Sequence, residues 1–132
     1  MFKEFLNRLI RKDPEHIGEN LIAVQSEILQ QVRERIRELP EGRAYFPATH
    51  LTVRIYAESD EQRLDSEKYF CDQHALEQEI RNELRRQNAE QDAERLLIKV
   101  EILRERGRDW KHPLFNLLLW REKKTGQLAS LI

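Results

Sequence analysis

The sequence predicts an α+β fold, a small three-stranded sheet packed against two long helices with a short helix at the N-terminus. Three observations point there. An apolar stripe at helical spacing runs from Ile17 to Leu39, and a sparser one occupies residues 68 to 92. Three further segments, near residues 50 to 57, 96 to 103 and 114 to 120, carry the apolar content of strands. At 132 residues the chain has the size of one domain, and residues 1 to 132 are read as a single unit.

Residues 1 to 12 place Phe2, Phe5, Leu6, Leu9 and Ile10 at helical spacing and stop before Asp13-Pro14, a pair that disfavours helix continuation. That helix either docks on the core or meets a membrane surface or a partner. The long stripe of Ile17, Leu21, Val24, Ile28, Val32, Ile36 and Leu39 follows, and Pro40-Glu41-Gly42 is its expected stop. Residues 41 to 49 read as a connector.

Leu51, Val53 and Ile55 alternate with Thr52, Arg54 and Tyr56, as in a strand with one buried face. Residues 58 to 67, poor in apolar side chains, are expected to be a solvated loop in which Asp65 or Ser66 caps the next helix. That helix spans 68 to about 92 through Tyr69, Phe70, Leu76, Ile80 and Leu84. Ile98, Val100 and Ile102 then return to period two. Residues 114 to 120 form a third strand that is apolar on both faces, which calls for two covers. A turn at residues 123 to 126 leads to a tail, 127 to 132.

Composition narrows the function. Charged residues make up 36% of the chain, against roughly 25% in typical globular proteins, so the surface is dense with ions. The 23 basic and 24 acidic residues leave a formal charge of -1, which supplies no global field for nucleic acid or anionic lipid. Cys71 is the single cysteine, so an intrachain disulfide or a multi-cysteine zinc site cannot form, and a reducing, cytoplasmic setting is expected. No segment reaches the ~20 apolar residues of a membrane span.

Reactive constellations do not emerge. His16, His50, His74 and His112 are scattered; only His74 lies near Cys71, and two residues do not make a zinc site. Gly18, Gly42, Gly107 and Gly126 are isolated, so neither a phosphate-cradling loop nor a nucleophile elbow can be built. The expectation is a protein that is not an enzyme, with no catalytic residue, metal or cofactor.

Two binding functions compete. A strand, a long helix and further strands suit a small RNA-binding module, but the KH type clamps its ligand with a Gly-x-x-Gly loop that is missing here. The candidate basic patch, Arg81, Arg85 and Arg86, is interleaved with Glu79 and Glu83, which cancels much of its field. Protein recognition is favoured by a surplus of large apolar residues: Leu118 and Trp120 oppose Phe115, Leu117 and Leu119 across the last strand, and Trp110 sits in the preceding loop. Trp110, Leu118 and Trp120 are therefore the candidate partner interface. Self-association is left open.

The order of elements, and the run Arg43-Ala44-Tyr45-Phe46-Pro47-Ala48-Thr49-His50-Leu51-Thr52-Val53, resemble the N-terminal domain of bacterial FhaA-type forkhead-associated adaptor proteins over about residues 1 to 103. The resemblance implies a KH-like domain without the RNA-clamping loop, acting as a protein-interaction adaptor in serine/threonine kinase signalling and cell-envelope regulation. It departs from the family pattern at residues 108 to 120, and no forkhead-associated domain is present in the chain. No catalytic residue is carried over.

Overall fold

A computed structural model of the chain describes residues 17 to 122 and 128 to 130. The proposed N-terminal helix at residues 1 to 12 and the turn at 123 to 126 lie outside the described residues.

The fold is mixed α and β, as predicted. Helix α1 (Ile17–Arg35) leads through a short hairpin, β1 (Arg37–Glu38) and β2 (Ala44–Tyr45), into strand β3 (His50–Tyr56). A helical stretch follows: α2 (Asp60–Ser66), a π turn over Glu67–Cys71, a 3-10 turn over Asp72–His74, α3 (Ala75–Arg86) and α4 (Glu90–Arg95). Strands β4 (Leu97–Leu103), β5 (Phe115–Glu122) and β6 (Leu128–Ser130) follow in turn.

The main sheet has the order β4-β3-β5-β6. Strand β3 is central, parallel to β4 and antiparallel to β5, and β6 pairs antiparallel with the end of β5. The predicted three strands are thus joined by a fourth: residues 128 to 130, read as part of a tail, form an edge strand opposite Trp120 to Glu122.

One face of this sheet makes the core. Leu51, Val53 and Ile55 of β3 and Phe115, Leu117 and Leu119 of β5 are buried with Val24, Ile28 and Val32 of α1 and Leu76, Ile80 and Leu84 of α3. The four-residue steps along each helix put these side chains on one stripe. Burial of each large aliphatic residue contributes about 1.5–3 kcal/mol, so this layer is the dominant source of stability.

Helix α1 ends at Arg35, short of Leu39. Leu39 precedes Pro40, whose ring disfavours helical backbone at the residue before it. The chain instead turns back on itself: Leu39 N donates to Arg43 O at 2.7 Å, Gly42 N donates to Leu39 O at 3.0 Å, and Gly42 takes φ of 86°.

The expected loop at 58 to 67 is helical from Asp60. Ser59 caps this helix, its hydroxyl accepting from Gln62 N at 3.1 Å while Gln62 Oε1 accepts from Glu58 N at 2.9 Å. Ser59-x-x-Gln62 is close to a capping box, and Ser59 takes the role expected of Asp65 or Ser66. The helical stretch then breaks at Gln73 and His74, both left-handed with φ of 54° and 56°. Its C-terminal end also comes earlier than expected. Asn88 adopts φ of 65°, and Asn88 N to Arg85 O (3.1 Å) and Ala89 N to Leu84 O (2.8 Å) close a Schellman-type motif that stops α3 at Arg86.

Candidate interaction surface

The second face of the sheet has a different character. The register places Leu97, His50 and Trp120 in one row, Lys99, Thr52 and Leu118 in the next, Glu101, Arg54 and Asn116 in a third, and Leu103 beside Tyr56 in a fourth. None of these side chains belongs to the apolar core cluster, which ends at the opposite face. Leu118 and Trp120 are half-buried, Thr52 beside Leu118 is buried, and Leu97 is 59% exposed. This is the open face in the sense that, among the described residues, the helices of the core cluster pack on the other side.

Trp120 is fixed by its backbone. Its carbonyl accepts from Thr49 N at 2.9 Å and from the Thr49 hydroxyl at 3.3 Å, and that hydroxyl accepts from Glu122 N at 2.8 Å. The start of β3 therefore holds the end of β5 at both sides of the tryptophan. Leu118 follows from strand alternation alone, two residues earlier on the same face.

Trp110 occupies the loop between β4 and β5, half-buried and tied by its N–H to Gly107 O at 3.3 Å. A Cβ at Gly107 would stand 2.8 Å from the Trp110 indole, so the loop closes tightly only because that residue is glycine. Arg106 of the same loop lies 4.5 Å over the Tyr56 ring, a cation–π contact that ties the loop to the open face. A small cavity of about 40 Å³ is bounded by Gln31 and Arg35 of α1, by Asp109, Lys111 and His112 of the loop, and by residues 115 to 118. Leu118 borders both this cavity and the open face; Trp110 lines neither the cavity nor the paired rows.

Charge on the open face is concentrated in one patch. Glu101 bridges Lys99 at 3.2 Å and Arg54 at 3.8 Å. Arg54 Nε is buried and makes no hydrogen bond among the described residues.

The basic patch does not assemble as a free surface. Arg81 is mostly buried: it donates to Ala93 O at 2.7 Å and pairs with Glu77 at 3.5 Å, so its role is to hold α3 against α4. Arg86 pairs with Glu83 at 2.8 Å, and Arg85 donates to Asn82 at 2.9 Å. Glu83 is buried and also receives Arg33 of α1 at 2.5 Å. Burial pushes the Glu83 carboxyl up, but hydrogen bonds and charge from Arg33 and Arg86 outweigh it and hold the carboxyl below its ordinary range. The Arg33–Glu83 contact clamps α1 to α3 across a separation of 50 residues, which no local pattern can pair.

The groups considered for chemistry fall apart in space. Burial, then the nearby Glu67 and Asp72, push the Cys71 thiol up, which suppresses the thiolate that nucleophilic or metal chemistry needs. His74 is exposed and faces Glu77 at 3.5 Å. His112 is buried, stacked on Phe115 at 4.2 Å, with Nδ1 accepting from Leu114 N at 3.1 Å. Among the described residues no group of three or more His, Cys, Asp or Glu is placed to hold a metal ion, and no helix is long and apolar enough to cross a membrane. No family model, curated protein or solved structure matches this chain.

Proposed function

We propose that the chain is a non-enzymatic protein-interaction domain that docks its partner on the open face of the sheet, around Leu118 and Trp120. The observation that carries this reading is the apolar pair itself: two large side chains on a face that the core cluster does not include, held by a backbone pinned through Thr49. Aromatic anchors set in a rigid frame bind at low entropic cost, and the Glu101–Arg54–Lys99 patch beside them would supply orientation. The resemblance to the FhaA-type N-terminal domain is in keeping with an adaptor role near serine/threonine kinase signalling, in the cytoplasm, and the same reading covers it.

Affinity capture from a bacterial lysate tests the proposal, with wild-type bait beside Trp120→Ala plus Leu118→Asp and both baits shown to be folded by circular dichroism. Proteins retained by the wild type and lost from the variant are expected. Equal capture by both would remove this face as the interface.

Nucleic-acid binding is the second reading. It would rest on Arg85 and Arg86, whose side chains lie toward solvent, because Arg81 is already engaged inside the fold. A labelled oligonucleotide that shifts at low salt, and shifts less with Arg85→Ala plus Arg86→Ala, would favour it over the protein reading.

A further inference from the structure

Strand β4 is an edge of the main sheet, paired among the described strands with β3 alone. Its inward residues Ile98, Val100 and Ile102 are only half-buried, whereas Leu51, Val53 and Ile55 beside them are between 0% and 2% exposed. The outward side starts with Leu97, 59% exposed. The seven-residue strand Leu97–Leu103 contains no proline, and its register with β3 runs without a bulge. Such an edge is a template for a further strand unless something guards it.

The sequence of β4, Leu-Ile-Lys-Val-Glu-Ile-Leu, is self-complementary when read against itself in the opposite direction. From this we infer that β4 pairs antiparallel with β4 of a second copy of the chain, about a two-fold axis at Val100. In that register Lys99 faces Glu101 of the second copy, Glu101 faces Lys99, Ile98 faces Ile102, and Leu97 faces Leu103. Every cross-strand pair is then apolar on apolar or positive on negative.

The charges choose this register. Centring the axis on Lys99 would oppose two lysines, and centring it on Glu101 would oppose two glutamates, each destabilising directly across a ladder. An axis between residues would set an inward side chain directly opposite an outward one, which a regular antiparallel ladder does not allow. A lysine on an edge strand ordinarily discourages pairing; here Lys99 discourages every antiparallel partner except one that offers an acid at the matching place. The intrachain Lys99–Glu101 pair does not compete strongly, because the Lys99 side chain is 72% exposed. Lys99 and Glu101 also belong to the open face, but the ladder uses the backbone edge of β4, whereas Leu118 and Trp120 lie on β5 beyond β3, so pairing of β4 and docking at Trp120 can fail separately.

Sedimentation velocity on the full chain over a concentration series tests the inference. The wild type is expected to self-associate to a dimer. Lys99→Glu alone and Glu101→Lys alone each place like charges across the axis twice, and each should weaken the dimer on the order of tenfold. Mixed together, the two variants should restore it as a heterodimer, since every charged pair across the axis then joins an acid of one chain to a base of the other. Leu97→Asp, at an exposed position away from Arg54, should weaken self-association while circular dichroism shows the fold retained. A wild type that sediments as a monomer throughout, or a mixture that gains nothing over its components, would overturn the inference.

Discussion

The two faces of the sheet are built from the same three strands, and they solve different problems. On the covered face Phe115, Leu117 and Leu119 are 0% to 5% exposed, aliphatic neighbours surround them, and helices α1 and α3 close the layer. One residue away along the same strand, Asn116, Leu118 and Trp120 are half-buried and share their face with Arg54, Lys99 and Glu101. The contrast shows that strand alternation alone can give one strand two surfaces of different composition without adding a residue.

Substitution separates the two faces most sharply. Phe115→Ala should cost about 3–5 kcal/mol of unfolding free energy in a denaturant titration, since it removes a fully buried ring and leaves a cavity against His112. Trp120→Ala on the open face should cost markedly less while lowering partner capture. Equal destabilisation by the two would mean the open face is a second core.

The helical clamp sharpens the same comparison from the covered side. Glu83→Gln should lower stability by about 1–3 kcal/mol, toward the lower end because Arg33 and Arg86 are half exposed to solvent. The Glu83 carboxyl is held below its ordinary value in the folded state. Its contribution is therefore fully present above the unfolded-state value of about 4.3 and is lost as pH falls through the depressed folded value. Denaturant melts between neutral and acid pH should show a steeper acid loss in the wild type than in Glu83→Gln.

The smallest effect belongs to His112, at the margin between the faces. Burial holds its imidazole below the ordinary value, so the folded state resists a proton that the unfolded chain accepts. Stability should decline as pH drops below about 6.5, the unfolded value, and level off below the depressed folded one. Thermal melts from pH 8 downward check this, with His112→Gln expected to flatten that segment.

The periodic parts of the molecule were legible in the sequence. Ile28 and Val32, Ile80 and Leu84, and the alternation of Leu51, Val53 and Ile55 specify which side chains face the core, because burial acts on every turn or every second residue. The punctuation was harder. Ser59-x-x-Gln62 carried a readable cap, but the acidic, apolar-poor residues around it resembled a loop. Asn88 ends α3 in a left-handed backbone, a role that Asn can fill but glycine fills more often, so the signal was weaker than a glycine would have been. Leu118 and Trp120 were visible as a surplus, and strand alternation was enough to place them. Arg81 was not, since its acceptor is a main-chain carbonyl at Ala93 and carries no side-chain signature.

The central position of β3 has a consequence for how the molecule is made. Both of its neighbours, β4 and β5, lie far downstream, with all of α2, α3 and α4 intervening before the first of them. During synthesis β3 emerges with no strand to pair with, and its apolar residues must wait for the helices to be completed. Formation of the sheet is therefore governed by long-range closure, which slows folding relative to a hairpin-built sheet of the same size. Of the helices that follow β3, α2 with its Ser59 cap and α3 with its Glu77–Arg81 pair are best equipped to form during that wait.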